Sequence, residues 1–236
     1  MKNLDQIRHS LSHLLATAVL EKYPDAKLGI GPTIDNGFYY DFILPEKISD
    51  EILPALEKRM QELIQTNIDF KKEVLKKDKA LAKVKELKQP FKKELIDELP
   101  TGEEISFYHS GTFTDLCAGP HVKNTKEIPS DAFKLTHVAG AYWHGDESRE
   151  MMTRIYGVAF GNQAELKKYL EMLKQARARD HRKLGKEMDL FTFSELVGSG
   201  LPLYTPRGAL IRRTINDYVE ETQTKKGYTQ VWTPQM

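Results

Sequence analysis

The stretch that decides the fold runs from Phe133 to Phe160, with the sequence FKLTHVAGAYWHGDESREMMTRIYGVAF. A period of two from Phe133 to His137 is typical of a half-buried strand. Tyr142-Trp143 and Met151 to Val158 add two more strands, and Gly145 to Ser148 between them has turn chemistry. We therefore expect consecutive antiparallel strands in this part of the chain.

Strands and helices alternate on both sides of this stretch. Lys27 to Leu44 predicts a β-hairpin that turns at Asp35-Asn36-Gly37. Further strands are predicted at Ile68–Leu75, Ile105–His109 and Tyr228–Trp232, the last one broken by Pro234. Apolar side chains at helical spacing predict helices at Leu4–Glu21 (with Asn3 as its N-cap), Ser49–Gln65, Asp78–Lys88, Ala164–Lys183 and Gly208–Lys225 (ended by Gly227). The predicted fold class is α+β, an antiparallel sheet packed with helices.

The composition excludes several classes of protein. Hydrophobic residues make up 40% of the 236 residues and charged residues 29%, which is typical of a soluble globular chain. No apolar run of about 18 residues predicts a membrane span, and the polar N-terminus does not resemble a signal peptide. The single cysteine, Cys117, excludes an intrachain disulfide framework and favours a reducing, cytoplasmic location.

Positive charge is concentrated in two stretches, although the net charge of the chain is only +1. Lys71 to Glu94 holds ten lysines against four acidic residues, and Asn162 to Lys186 holds eight Lys and Arg against three. Each stretch is consistent with a solvated helix face or with a surface that meets a phosphate backbone.

Two pairs of residues with the same spacing carry the candidate chemistry, namely His9 with His13 and Cys117 with His121. The first pair shares one helix face, nearly opposite the apolar stripe, so these imidazoles face solvent or line a cleft. Gly119-Pro120 places the second pair at a turn or strand end. Three imidazoles and one thiol form an acceptable zinc ligand set. A buried free cysteine beside a hydrogen-bonded histidine, or a thiol nucleophile activated by histidine, are the alternatives.

Three other residues are candidates by position alone. Asp115 lies two residues before Cys117, and in a strand the two side chains share a face. Tyr39 and Tyr40 alternate, so that one faces the core and the other faces a cleft. Lys92 belongs to the first basic stretch. A surface acid, a packed aromatic ring and a solvated lysine are equally consistent with these patterns.

The order of the motifs adds a resemblance to a known family. The segments HSLSH, IGPTIDNGFYYDF, TDLCAGPHV, HVAGAYWHGD, MMTRIYGVAF and RDHRKLGKEMDLF follow one another along the chain. Together they resemble the editing domain and linker helix of bacterial-type threonyl-tRNA synthetases. The closing GSGLPLYTPRGALIRRTINDYVEETQTKKGYTQVWTPQM resembles the start of a class II α/β catalytic domain. We therefore expect an editing domain over 1–160, a linker helix over 161–186 and an incomplete catalytic domain over 187–236.

The resemblance implies a function and a set of site residues. Enzymes of this family attach threonine to its tRNA with ATP, and their editing domain hydrolyses tRNA mischarged with serine. The editing residues of the family fall on His9, His13, Tyr40, Lys92, Asp115, Cys117 and His121. The resemblance implies no cofactor for editing, with zinc held by His9, His13, Cys117 and His121 as the alternative. It also implies tRNA as a partner and a homodimer through the class II motif 1 region.

Departures from the family limit what this chain is expected to do. Met1 lies only eight residues before His9, so we expect the small ubiquitin-like domain of many members to be missing from this chain. Class II motifs 2 and 3 are also absent, as are the sites for ATP, magnesium and the aminoacylation zinc, so we expect deacylation rather than charging of tRNA. The rival hypotheses are a free-standing zinc hydrolase of the alanyl-tRNA editing type, whose GGGQP-like segment is missing here, and a non-catalytic tRNA-binding module.

Overall fold

The computed structural model describes residues 4–100, 102–198 and 200–233. Its helices are α1 (Leu4–Lys22), α2 (Leu53–Gln65), α3 (Lys77–Glu86), α4 (Pro90–Glu98), α5 (Gln163–Ala178), α6 (His181–Glu187) and α7 (Pro206–Lys225). Its strands are β1 (Lys27–Leu28), β2 (Thr33–Ile34), β3 (Gly37–Ile43), β4 (Phe70–Leu75), β5 (Ile105–Ser110), β6 (Phe113–Leu116), β7 (Phe133–Tyr142), β8 (Met151–Ala159), β9 (Phe191–Thr192) and β10 (Leu203–Tyr204).

The strands form antiparallel sheets, which confirms the α+β class. A five-stranded sheet has the order β1-β3-β8-β7, with β2 also paired to β3. A three-stranded sheet has the order β4-β5-β6, and β9 pairs with β10. The predicted hairpin is confirmed, since Ile34 pairs with Gly37 across a turn in which Asn36 has a φ of 63°.

Helix α1 is buried on almost every side, because both sheets and α2 surround it. Its buried residues run from Ile7 to Val19 with only His9 half-exposed. The main core joins α1 and α2 to one face of the five-stranded sheet, where Phe38, Tyr40 and Phe42 are fully buried. A smaller core lies between α3, α4 and β5. These contacts hold α1 rigidly at the place where its two histidines meet other elements.

Several predicted boundaries in the β-rich part are wrong. Phe133 to Tyr142 forms one continuous strand instead of two, and Trp143 lies in a 3-10 turn, Trp143–Gly145, rather than in a strand. The pairing of β7 with β8 shifts in register between Leu135 and His137, and this irregularity lets the strand continue where the alternation of apolar and polar residues is interrupted. Tyr228 to Trp232 forms no strand. Asn3 and Pro234 lie outside the described residues.

Two helices differ from the prediction for local reasons. The predicted helix Ala164–Lys183 ends at Ala178, because the Asp180 side chain accepts a hydrogen bond from the Arg182 amide and thereby starts α6. Helix α4 is missing from the prediction, because it starts inside the lysine-rich stretch and only three residues after α3 ends. Pro90 opens it at a position where a missing amide proton costs nothing.

The chain divides into two compact units, the first ending at Tyr169 and the second beginning at Leu170. All seven candidate site residues belong to the first unit. In the second unit, only Gly185 and Gly208 are buried among the described residues, and Ile215 and Trp232 are 56% and 91% exposed. No helix in the described part of the chain is long and apolar enough to cross a lipid bilayer.

Candidate active site

The structure brings all seven predicted site residues into one region of the first unit. Helix α1 supplies His9 and His13, strand β3 supplies Tyr40, and α4 supplies Lys92. Asp115 lies near the end of β6, and Cys117 and His121 follow in the turn after it. The i, i+4 spacing places His9 and His13 on one face of α1, but His13 is only 2% exposed instead of facing solvent, because the second sheet covers that face. Cys117 and His121 lie in the loop that contains Gly119-Pro120.

One half of the site is a cluster of neutral groups around the Cys117 thiol. Its Sγ lies 3.2 Å from His9 Nε2 and 3.3 Å from His121 Nε2. The Gly119 amide donates a hydrogen bond to the same sulfur over 3.3 Å. The rings of His9 and His121 have their centroids 4.1 Å apart.

Ser10 lies within hydrogen-bond distance of His121 Nδ1 and of two backbone groups. Its hydroxyl is fully buried, lies 2.8 Å from the Gln6 carbonyl and accepts a hydrogen bond from the Val122 amide over 3.1 Å. It also lies 3.2 Å from His121 Nδ1. A hydroxyl has one proton and two lone pairs, so all three contacts are satisfied when Ser10 donates to the carbonyl and accepts from Nδ1–H. In that arrangement His121 Nε2 has no proton and presents its lone pair to the Cys117 thiol.

The other half of the site is a buried ion pair. Lys92 Nζ lies 2.7 Å from Asp115 Oδ1, and both side chains are at least 96% buried. The Tyr40 hydroxyl donates a short hydrogen bond to Asp115 Oδ2 and accepts one from Lys92 Nζ over 3.2 Å. Burial and the neighbouring carboxylate raise the pKa of Tyr40, so the phenol keeps its proton. The carboxylate therefore has a fixed position with two donors.

His13 joins the two halves. Its Nε2 lies 4.0 Å from Asp115 Oδ2, and its ring centroid lies 4.2 Å from that of His121. Burial, followed by the charges of His121, His9 and Lys92, lowers its pKa well below the ordinary value. Its Nδ1 is buried and has no hydrogen-bond partner among the described residues. Buried polar atoms are rarely left without a partner, so this nitrogen has an unused hydrogen-bonding position.

The imidazoles of the site are neutral at physiological pH. Burial and the neighbouring His9 lower the pKa of His121 to about 3. Burial lowers the pKa of His9, against a hydrogen bond to the Pro120 backbone that raises it. Burial also raises the pKa of Cys117 to about 12, so the thiol is protonated. A protonated thiol is a weak nucleophile, which argues against the thiol-nucleophile hypothesis for this arrangement.

The four His and Cys side chains also fit a zinc ion by donor type and spacing. One ligand atom from each of His9, His13, Cys117 and His121 lies within 4.8 Å of the others. Zinc bonds of about 2.3 Å to sulfur and about 2.0–2.1 Å to nitrogen separate the two ligand atoms by roughly 3.6 Å. The observed sulfur–nitrogen distances of 3.2 and 3.3 Å are close to that value.

Three further residues contribute to the site; the sequence indicates only Gly119 among them, as part of a turn, and does not predict Ser10 or Gly31. Ser10 has no signal beyond its place between two histidines. Gly31 lies so close to the Tyr40 ring that an added Cβ would be 2.2 Å from Cδ2. Gly119, with a φ of 76°, would meet the Tyr108 hydroxyl at 2.3 Å. The glycines at these two positions are a weak signal of close approach, which the sequence alone does not assign to a partner.

Comparisons with known proteins show which proteins the chain resembles. Residues 105–156 match the family model described as the threonyl and alanyl tRNA synthetase second additional domain. The chain is 49% identical over 228 residues to a threonine–tRNA ligase of Clostridium tetani, covering 97% of this chain and 35% of the relative. It is 49% identical over 238 residues to a threonine–tRNA ligase of Thermus thermophilus, covering 96% and 36%. The chain thus spans about a third of the length of these curated relatives.

Proposed function

We propose, from the premise that this chain is related over nearly its whole length to threonine–tRNA ligases, that its candidate active site hydrolyses seryl-tRNA formed in error. The observation that carries the proposal is a buried group of three side chains, Asp115, Lys92 and Tyr40, that lies next to neutral imidazoles. The substrate is an ester between the serine carboxyl group and a ribose hydroxyl at the tRNA 3′ end. The products are serine and uncharged tRNA.

The chemistry divides between the two halves of the site. Neutral His9 and His13 have lone pairs that hold the attacking water and accept its proton as it adds to the ester carbonyl. Asp115 attracts the ammonium group of the amino acid and thereby fixes the position of the carbonyl carbon. Lys92 provides a fixed positive charge toward the oxygen that becomes negative when water adds. The ribose oxygen then leaves and takes up a proton.

The need for such a site follows from the size of the two amino acids. Serine differs from threonine by one methyl group, and a missing methyl group is worth only about 1–3 kcal/mol of discrimination in a binding pocket. A second, hydrolytic pocket that admits the smaller side chain multiplies this selectivity. We therefore expect the chain to hydrolyse seryl-tRNA faster than threonyl-tRNA.

A deacylation assay tests the proposal directly. The chain is incubated with threonine-specific tRNA charged with labelled serine or with labelled threonine, and the release of amino acid is followed over time. Asp115→Asn is expected to lower the rate constant for serine release about 10²-fold or more, because the ammonium group loses its partner. His13→Ala is expected to do the same through the loss of the group that holds water. Equal rates in the parent and in both variants refute the site assignment.

A matched control separates catalysis from folding. Asp115→Asn leaves Lys92 buried without its counter-charge, which costs roughly 3–5 kcal/mol of stability. Asp41→Asn breaks another buried pair, in which Arg154 Nε and Nη2 lie 2.7 and 2.8 Å from the Asp41 carboxylate. Because the Asp41 carboxylate bonds to Arg154 rather than to the site residues, this variant is expected to be destabilised and still deacylate. Equal loss of activity in both variants at a temperature where both are folded contradicts the proposal.

A zinc hydrolase of the alanyl-tRNA editing type is a second candidate, favoured by the four-residue ligand set. In that case three of the four side chains His9, His13, Cys117 and His121 would hold the ion, which would leave one position open for a water with a pKa near 7. Elemental analysis and substrate preference distinguish the two functions. Stoichiometric zinc, with faster hydrolysis of serine from alanine-specific than from threonine-specific tRNA, favours this candidate. Salt-dependent tRNA binding without any deacylation supports the hypothesis of a non-catalytic tRNA-binding module.

We also propose the arrangement of the rest of the chain. Residues 1–160 form the editing domain, 161–186 a linker made of two helices, α5 and α6, instead of one, and 187–236 the first part of a class II catalytic domain. The helix in the motif 1 region of this last part supports a homodimer. In this proposal the whole ligase uses ATP, magnesium and zinc and lies in the cytoplasm. The exposed apolar residues of α7, among them Ile215 and Tyr218, support this assignment because they need a further surface to cover them.

A further inference from the structure

A groove between α3 and α4 combines an apolar floor with a rim of lysines. It has a volume of about 580 Å³, and its floor is formed by Leu81, Ala82, Val84 and Pro90. The rim carries Lys27, Lys85, Lys88 and Lys93, and none of the described residues that line the groove is acidic. Its walls therefore suit a ligand with several negative charges and flat apolar parts.

The lysines come from three separate segments that the fold fixes side by side. Gln89, in the connection between α3 and α4, is buried; its Oε1 accepts from the Leu28 amide over 2.7 Å and its Nε2 donates to the Ala26 carbonyl over 3.3 Å. These two bonds hold β1, and with it Lys27, against the end of α3. Lys88 has a φ of 55°, the left-handed conformation that ends a helix, so it projects from the corner.

These positive charges are mostly uncompensated. Lys93 forms an ion pair with Asp97 on its own helix, over 2.5 Å. Lys27, Lys85 and Lys88 have no ion-pair partner within the residues that the structure describes. Lysines of a solvated helix face are usually interspersed with acids, whereas here three unpaired ammonium groups border one concave surface.

We propose that this groove binds the phosphate backbone of the RNA strand whose 3′ end enters the candidate active site. The inference rests on the proposed function and deepens it by naming the surface that holds the RNA. Lys92 and Lys93 are neighbours on α4, yet Lys92 contacts Asp115 in the site and Lys93 borders the groove. Neighbouring residues of a helix point about 100° apart, so the groove and the site lie on different faces of α4. Ammonium groups on the rim contact phosphates, and a base face packs on the apolar floor.

The test compares two triple variants with the same change in charge. The groove variant is Lys27→Gln with Lys85→Gln and Lys88→Gln. The control variant replaces Lys71, Lys76 and Lys79, which are exposed lysines of the same basic stretch outside the groove. Binding of an uncharged RNA hairpin with a single-stranded 3′ tail is followed by fluorescence anisotropy at several salt concentrations.

The groove variant is expected to bind about tenfold more weakly at 0.1 M salt, and the slope of log K against log salt is expected to fall by roughly 2 to 3. The control variant is expected to lose no more than about threefold, from its lower overall charge. A third variant, with arginine at the three groove positions, is expected to keep the parent affinity. Equal weakening of the groove and control variants overturns the proposal, and so does a loss of binding in the arginine variant.

The outcome is independent of whether the site hydrolyses an ester, because the RNA carries no amino acid. A chain that binds RNA through the groove but releases no serine refutes the proposed function and leaves this inference standing. In the deacylation assay, the groove variant is expected to raise KM by the same factor as Kd and to leave kcat unchanged. Tighter binding of an acidic peptide than of RNA through the same lysines, at equal salt, overturns the choice of ligand.

Discussion

Replacing Ser10 by alanine tests the internal hydrogen bonds on which the site depends. The substitution removes one hydroxyl that is fully buried between α1 and the turn containing His121. Two donors then lose their acceptor, namely the Val122 amide and His121 Nδ1–H. A buried donor left without a partner costs about 1–3 kcal/mol, so the expected loss of unfolding free energy is about 2–4 kcal/mol after partial relaxation.

The matched control is Ser12→Ala on the same helix. Ser12 is also fully buried, but its hydroxyl lies 2.8 Å from both the His9 and the Gly31 carbonyls, which share its single proton. Its removal leaves no buried N–H group without an acceptor among the described residues, and we expect a loss of about 1 kcal/mol. Urea unfolding of the three proteins measures both values.

Nitrogen NMR of the histidine side chains gives the decisive readout. In the parent protein His121 is expected to carry its proton on Nδ1 and none on Nε2. In Ser10→Ala the population is expected to shift toward the Nε2–H form, which turns a donor toward the Cys117 sulfur. The rate of serine release is expected to fall with the population of the Nδ1–H form. An unchanged tautomer together with a stability loss below about 0.5 kcal/mol refutes the reasoning.

Three further predictions follow from burial and close contacts. The pKa of His121 is about 3 and that of His13 is also lowered, so the unfolded chain binds more protons than the folded chain between about pH 6.5 and 3. The free energy of unfolding is therefore expected to fall as the pH drops below about 6.5. Constant stability down to pH 4 contradicts the assignment of neutral imidazoles. Gly31→Ala is expected to displace the Tyr40 ring and lower the melting temperature by several degrees, since overpacking costs about 1–3 kcal/mol. The control is Gly161→Ala, whose Cβ would meet its nearest neighbour at 3.5 Å, and it is expected to change the melting temperature little. Tyr40→Phe keeps the Lys92–Asp115 pair and removes one donor to Asp115; we expect a lower kcat for serine release with the protein still folded, and parental kcat shows that the hydroxyl is dispensable.

The sequence predicts the parts of the structure that depend on short-range patterns. The i, i+4 spacing places His9 and His13 on the same face of one helix, and Gly119-Pro120 places Cys117 and His121 in the loop after β6. The same reasoning fails for α4, because its apolar positions are few and lysines surround them. It also fails at Trp143, whose aromatic character favours a strand although a 3-10 turn buries it against Phe91.

The contacts that define the chemistry depend on residues far apart in the chain. Ser10 and His121 are separated by 111 positions, and Tyr40 and Asp115 by 75. The periodicity of a single segment does not predict such a pairing, because the pairing results from the packing of α1 between two sheets. The resemblance to a family supplied the list of residues. Only the structure shows that they form a neutral half and a charged half.

This division explains why the cluster of four His and Cys side chains does not by itself indicate the reaction. The thiol and the imidazoles around it are uncharged, so they orient a polar group or bind a cation but supply no charge of their own. The fixed charges lie on Lys92 and Asp115, and burial makes each of them effective because water does not screen it. An aminoacyl ester carries an ammonium group next to a carbonyl whose oxygen becomes negative when water adds, and this matches one negative and one positive group held 2.7 Å apart. Removal of the charged half with the cluster intact is therefore the change that separates an editing hydrolase from a metal site.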